Sequence, residues 1–203
     1  LIAVQDIKLA TKFCSRLTLL NKGQIIADGK PKEVITAETL HKAYKMKAAV
    51  FKNHVSGLLD IYTYSSDKDC QKGKSVHVIS GGGVADNIVR KLYEGNYKIS
   101  MGVISQGDAD TVVGEAFKAQ IIKKDCFAQI TSETSNKNIE LIKAANFTVL
   151  CNIFYGNNNL DNLKAAFQAE KLIVLEDQKI EERDHTDGKA TLFVAERTLQ
   201  EGM

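Results

Sequence analysis

The sequence predicts an α/β protein: a small mixed unit followed by a doubly wound, mostly parallel five-stranded sheet domain. Three observations carry this. From Ser75 onward, short runs of Val, Ile and Leu alternate with amphipathic segments, the rhythm of a sheet covered by helices on both faces. Before Ser75 two β-type runs are joined by the tight turn Asn21-Lys22-Gly23, which reads as a hairpin. The 203 residues are 44% hydrophobic and 26% charged, the balance of a globular chain with enough apolar mass for one sizeable domain or two small units.

In chain order, Leu1-Ile-Ala-Val4 reads as a short buried strand. It starts at the first residue, with neither an initiator Met nor the basic start of a signal peptide, so the chain is expected to be a fragment of a longer protein. Asp6 is placed to cap a helix carrying Ile7, Leu9, Ala10 and Phe13. Arg16 to Leu20 and Gln24 to Asp28 are the hairpin strands. Pro31 opens a helix through Val34 and Ile35, and Thr36 caps another through Leu40 and Tyr44. Ala48 to Phe51 and Leu58 to Tyr64 read as two strands around a Ser56-Gly57 turn. The polar stretch from Ser65 to Lys74 reads as a linker or exposed loop.

Beyond it, Val76 to Ile79 is a strand, followed by Gly81-Gly82-Gly83 and a helix with Ile88, Val89 and Leu92 on one face. Tyr97 to Ile104 is the second strand, and Asp108 or Asp110 caps the next helix. Gln120 to Ile122 is a short strand, and Thr134 or Ser135 starts a helix. Phe147 to Leu150 and Leu172 to Leu175 are the last strands, separated by a helix from Leu160 to Phe167. Gly188 to Leu199 is a final helix.

Composition excludes several functions. A net charge of +2 with scattered lysines gives no footprint for nucleic acid. No apolar run approaches the ~20 residues that span a bilayer. Cys14, Cys70, Cys126 and Cys151 show no paired spacing, and His185 has no second His or Cys at ligand spacing, so no metal site is expected. The cysteines read as reduced thiols.

The stretch V-Q-D-I-K-L-A-T-K-F-C-S-R-L-T-L-L-N-K-G-Q-I-I-A-D-G-K-P-K-E-V, from Val4 to Val34, and the residues that follow to Leu40 resemble the end of the nucleotide-binding domain of ABC importers of the iron-siderophore, haem and cobalamin type. The resemblance implies a division into residues 1–46, the C-terminal end of that domain; residues 47–74, a hairpin and linker; and residues 75–203, an appended Rossmann-like α/β domain. It implies ATP and Mg as cofactors of the parent protein and none certain for this chain. It implies homodimerisation, transmembrane permease subunits as partners, and a cytoplasmic place at the inner face of the membrane through the permease. At the position of the family's switch His, which meets the ATP γ-phosphate, stands Gln5. Glutamine can donate a hydrogen bond there but cannot carry a proton. The family's Walker A loop, Q-loop, signature motif and Walker B carboxylates are absent from these residues. Gln71-Lys-Gly-Lys-Ser75 lacks the earlier glycine of a phosphate loop. The chain alone is therefore expected not to hydrolyse ATP.

The candidate ligand residues of the appended domain are Gly81, Gly82, Gly83, Asp108, Asn152 and Asn159, on loops that a doubly wound sheet gathers at its carboxyl edge. The glycine triplet reads either as a tight turn or as a place where backbone N–H groups approach an anion. It is not G-x-G-x-x-G, because the third glycine of that pattern falls on Asp86. Asp108 and Asp110 read as caps or ligands. Glu181 to Asp187 reads as a solvated charged loop or a rim, and His77 as a packed strand residue. Dimerisation or regulation by a small molecule is the expected role of the domain; a stand-alone Rossmann-like binding module or enzyme is the alternative.

Overall fold

The computed structural model describes residues 1–52, 57–64 and 73–201. The chain divides into two compact units, Leu1–Lys68 and Asp69–Met203. Cys70, Ser56 and most of the expected linker lie outside the described residues.

In the first unit, α1 (Ile7–Phe13) begins where the Asp6 carboxylate accepts the Leu9 N–H at 2.9 Å. β1 (Leu17–Asn21) and β2 (Gln24–Gly29) pair antiparallel. Arg16 and Thr18 both reach the Asp28 carboxylate across this hairpin. α2 (Pro31–Val34) starts on the proline, with the Glu33 side chain accepting the Lys30 N–H, and α3 (Ala37–Tyr44) starts on Thr36. β3 (Lys47–Lys52) and β4 (Leu59–Tyr64) form a second antiparallel pair. Leu19, Val34, Ile35, Leu40 and Ala48 make the buried core, with Val50, Leu59 and Ile61 packed against it, so the second hairpin shares the core of the first. One expectation fails: Leu1 to Val4 form no strand and are exposed, because no described strand lies beside them to take up their backbone hydrogen bonds.

The second unit is a five-stranded, all-parallel sheet. Its strands are β5 (Ser75–Ile79), β6 (Lys98–Ser105), β7 (Gln120–Lys124), β8 (Phe147–Leu150) and β9 (Leu172–Val174), in the spatial order β7-β6-β5-β8-β9. α4 (Asp86–Glu94) and α5 (Ala109–Ala116) join the first three strands and pack together. α6 (Ser132–Ala144) carries the chain back across to β8, and α7 (Leu160–Ala166) leads to β9. The right-handed rule for parallel crossovers puts α4 and α5 on one face and α6 and α7 on the other. A short α8 (Ile180–Arg183) precedes α9 (Lys189–Glu201). The order reverses between β5 and β8, so the loops after these two strands diverge to opposite faces and open a crevice.

Two details position that crevice. Gly114 brings α5 close to the sheet: a methyl group there would lie 2.5 Å from Met101 Sδ and 2.7 Å from Ile121 Cδ1. On the other face, His77 of β5 is fully buried, in register with Ser100 and Thr148, and its Nδ1 lies 2.9 Å from Ser100 Oγ.

Candidate functional site

The loop after β5 turns at Gly82 and Gly83, both with positive φ (76° and 86°), conformations open to glycine at little cost. The turn is held by the next crossover. Asp108, the N-cap of α5, accepts the Gly82 N–H through Oδ2 and the Asp110 N–H through Oδ1, each at 2.9 Å. Asp110, fully buried, accepts the Ala85 N–H at 2.9 Å. The Gly82 and Ala85 amides are thus committed to carboxylates of their own fold. Burial pushes the Asp110 carboxyl above its usual range, against the Ala85 N–H and with the neighbouring Asp108 charge. The Ser80 hydroxyl, 3% exposed, stands beside Asp110 without closing a full hydrogen bond.

These loops meet those after β6, β7 and β8 around a cavity of ≈ 240 Å³. Gly81, Gly82, Asp108 and Asn159 line it, together with Lys124 and Phe154. Two of the six candidate residues of this unit lie elsewhere in the loops. Gly83 sits against Ala109, and Asn152 accepts the Asp177 N–H at 3.4 Å. Asn159 lines the cavity but its amide also closes its own loop, accepting from Gly156 N and donating to the Phe154 carbonyl. Gln5 belongs to the first unit, where it is exposed just before the cap of α1.

Several residues of this region were not foreseen. Lys124, at the carboxyl end of β7, is only 8% exposed and donates to the Ala128 carbonyl at 2.6 Å. Its signal in the sequence was a lysine directly after an apolar strand. Asn162 of α7 donates to the Val103 carbonyl and accepts from Asn138 of α6, forming a buried amide chain under the cavity. Asn138 also faces His77, whose imidazole burial lowers to a pKa of about 4, so it is neutral near pH 7.

The stretch read as a solvated rim is partly interior. Arg183 is 2% exposed and ties two loops together, donating to the Gln178 and Ile153 carbonyls and pairing with Glu176 at 2.7 Å. Its charge also lies over the Tyr155 ring. Asp184 receives hydrogen bonds from the backbone and hydroxyl of both Thr186 and Thr191 at the start of α9. Burial acts to raise its pKa, but these four bonds together hold it well below the usual carboxylate range. Arg183 and Asp184 are thus taken up by carbonyls, N–H groups and hydroxyls of their own loops, while Glu181, Glu182, His185 and Asp187 are exposed, as a solvated loop requires.

Cys151, buried at the end of β8, has its thiol pushed up to about 12 by burial and the Asp110 charge, so it is inert as a nucleophile near neutral pH. Among the described residues no cluster of His, Cys, Asp or Glu could hold a metal ion, and no helix is long and apolar enough to cross a membrane. The site therefore offers a glycine turn backed by carboxylates, a buried ammonium and side-chain amides.

The relatives of this chain are ABC transporter ATP-binding subunits. It is 29% identical over 108 residues to the cobalamin import ATP-binding protein BtuD of Halobacterium salinarum, covering 53% of this chain and 27% of that protein. It is 43% identical over 61 residues to the hemin import ATP-binding protein HmuV of Plesiomonas shigelloides, covering 30% and 23%. It is 33% identical over 54 residues to the ferric enterobactin transport ATP-binding protein FepC of Escherichia coli K12, covering 27% and 20%. The chain thus spans about a quarter of the length of these relatives. No solved structure matches it. The profile of the MJ0874 family matches residues 99–203, from β6 through α9 and just over half of the chain. By that match the chain belongs to the MJ0874 family.

Proposed function

We propose that this chain is the C-terminal portion of the ATP-binding subunit of an ABC importer, and that its parallel-sheet unit binds a small molecule at the carboxyl edge and so regulates transport. The observation that carries the first part is the likeness to importer ATP-binding proteins over as much as half of the chain. The run from Val4 to Leu40 supports it with the helix, hairpin and Gly-x-Pro elements in family order. The cavity supports the second part, lying where doubly wound folds seat their ligands.

On this reading ATP and Mg are bound by the complete subunit, and Gln5 stands at the switch position near the γ-phosphate. The subunit works as a homodimer on permease subunits at the cytoplasmic face of the membrane. A regulatory ligand acts only if it binds one arrangement of the subunits more tightly than another. Cobalamin, hemin and ferric enterobactin are the solutes named for the relatives, and an iron or corrinoid solute is the corresponding proposal here. Sequencing the reading frame upstream of the Leu1 codon tests the first part. A Walker A loop, a signature motif and a Walker B pair are expected there, and their absence sinks it.

A further inference from the structure

Building on the reading that the cavity is a ligand seat, we infer the class of its ligand: a small amino or hydroxy acid, its carboxylate on Lys124 and its ammonium or hydroxyl toward Asp108.

Size is the first argument. A cavity of ≈ 240 Å³ lies below the range of pockets for drug-sized ligands, which runs from about 300 to 1,000 Å³. A dinucleotide, a haem, a corrinoid or a ferric siderophore exceeds this volume and would leave most of itself outside the partly open mouth, so the molecule that the cavity seats whole is smaller than the solutes named for the relatives.

Charge is the second. The cavity presents one cation and one carboxylate. Lys124 enters from β7 and is nine-tenths buried, and among the described residues its ammonium has no carboxylate partner. An ammonium has three donors; one is spent on the Ala128 carbonyl, leaving two for an anionic group. Asp108 lies on the other side of the β6 terminus, against the β5 loop. Each of its oxygens already accepts one backbone N–H, and a carboxylate has about four lone-pair sites, leaving two to receive a donor.

The usual phosphate devices are spent. The Gly82 and Ala85 N–H groups are taken by Asp108 and Asp110, so a dianion in the cavity would meet the Asp108 carboxylate and one ammonium. An amino acid's carboxylate and ammonium match the pair charge for charge, and a hydroxy acid's hydroxyl meets Asp108 as a neutral hydrogen-bond donor. Two further polar residues line the cavity: Ser80, whose buried hydroxyl stands beside Asp110 without closing a full hydrogen bond among the described residues, and Asn158.

Titration calorimetry of the 203-residue chain with L-serine, L-glutamate, L-lactate, inorganic phosphate and AMP tests this. At least one of the three acids should bind with one-to-one stoichiometry, and Lys124→Met should weaken it at least tenfold. Lys124→Gln serves the same purpose if the methionine variant does not fold, with far-UV circular dichroism as the check. Binding of phosphate or AMP that is lost in the Lys124 variant, without binding of any acid, overturns the ligand class while leaving the cavity as a ligand seat. Acid binding that Lys124→Met and Lys124→Gln leave intact overturns the assignment of Lys124. No heat with any of the five overturns both this inference and the reading of the cavity as a seat for a small polar molecule.

Discussion

Lowering the pH from 7.5 to 5 should destabilise the second unit through His77. The imidazole is fully buried on β5, against Ser100 of β6, Thr148 of β8 and Asn138 of α6, none of them charged. Burial lowers its pKa from 6.5 to about 4. The unfolded chain therefore takes up a proton as pH falls through 6.5, while the fold resists it until about 4. Stability is full above about pH 7 and declines below it, by roughly 3 kcal/mol in the limit and about 2 kcal/mol at pH 5, taking ~1.4 kcal/mol per pKa unit. Asp110 acts in the opposite sense, because its raised pKa lets the fold bind a proton before the unfolded chain does. Comparing the native chain with His77→Gln cancels that contribution. Urea unfolding followed by far-UV circular dichroism is the assay, since the chain has no Trp. The native chain should lose about 2 kcal/mol more than the variant between pH 7.5 and 5. Equal losses would refute the claim that burial keeps His77 neutral.

Three further outcomes are expected. Arg183→Leu frees the Gln178 and Ile153 carbonyls and should cost roughly 2–3 kcal/mol by urea unfolding, with the cavity wall at Phe154 loosened as seen in amide hydrogen exchange. Gly114→Ala crowds Met101 and Ile121; overpacking of about 1–3 kcal/mol outweighs the helix gain of up to ~1 kcal/mol, so the melting temperature should fall. Iodoacetamide at pH 8 should label exposed Cys126 quickly and buried Cys151 only after unfolding, read by peptide mass mapping.

How much of this was legible in the sequence follows from where the signals are local. The alternation after Ser75 foretold five strands and the helices between them, because a parallel sheet buried on both faces needs continuous apolar runs. Asp6 and Thr36 were readable as caps because a cap is spelled within four residues. The failures were tertiary. Thr131 rather than Thr134 or Ser135 caps α6, a matter of which hydroxyl reaches the first free N–H. Lys124 was not singled out, and Arg183 read as part of a solvated loop or rim, since burial of a charge depends on how its loop folds back and, for Arg183, on the Ile153 carbonyl 30 residues away. The glycine turn was visible, but Asp108 and Asp110, about 25 residues away, decide where its amides point.

ATP turnover is the most direct test of the proposed importer function. On the proposed function, the complete polypeptide encoded by the reading frame that contains these residues should hydrolyse ATP only with Mg²⁺, the 203-residue chain should not, and Gln5→His in the complete polypeptide should raise the rate by placing an imidazole at the proposed switch position. Steady-state phosphate release measures all three. Turnover by the chain alone, or none by the complete polypeptide with either Gln5 or His at that position, would contradict the assignment to an importer ATPase.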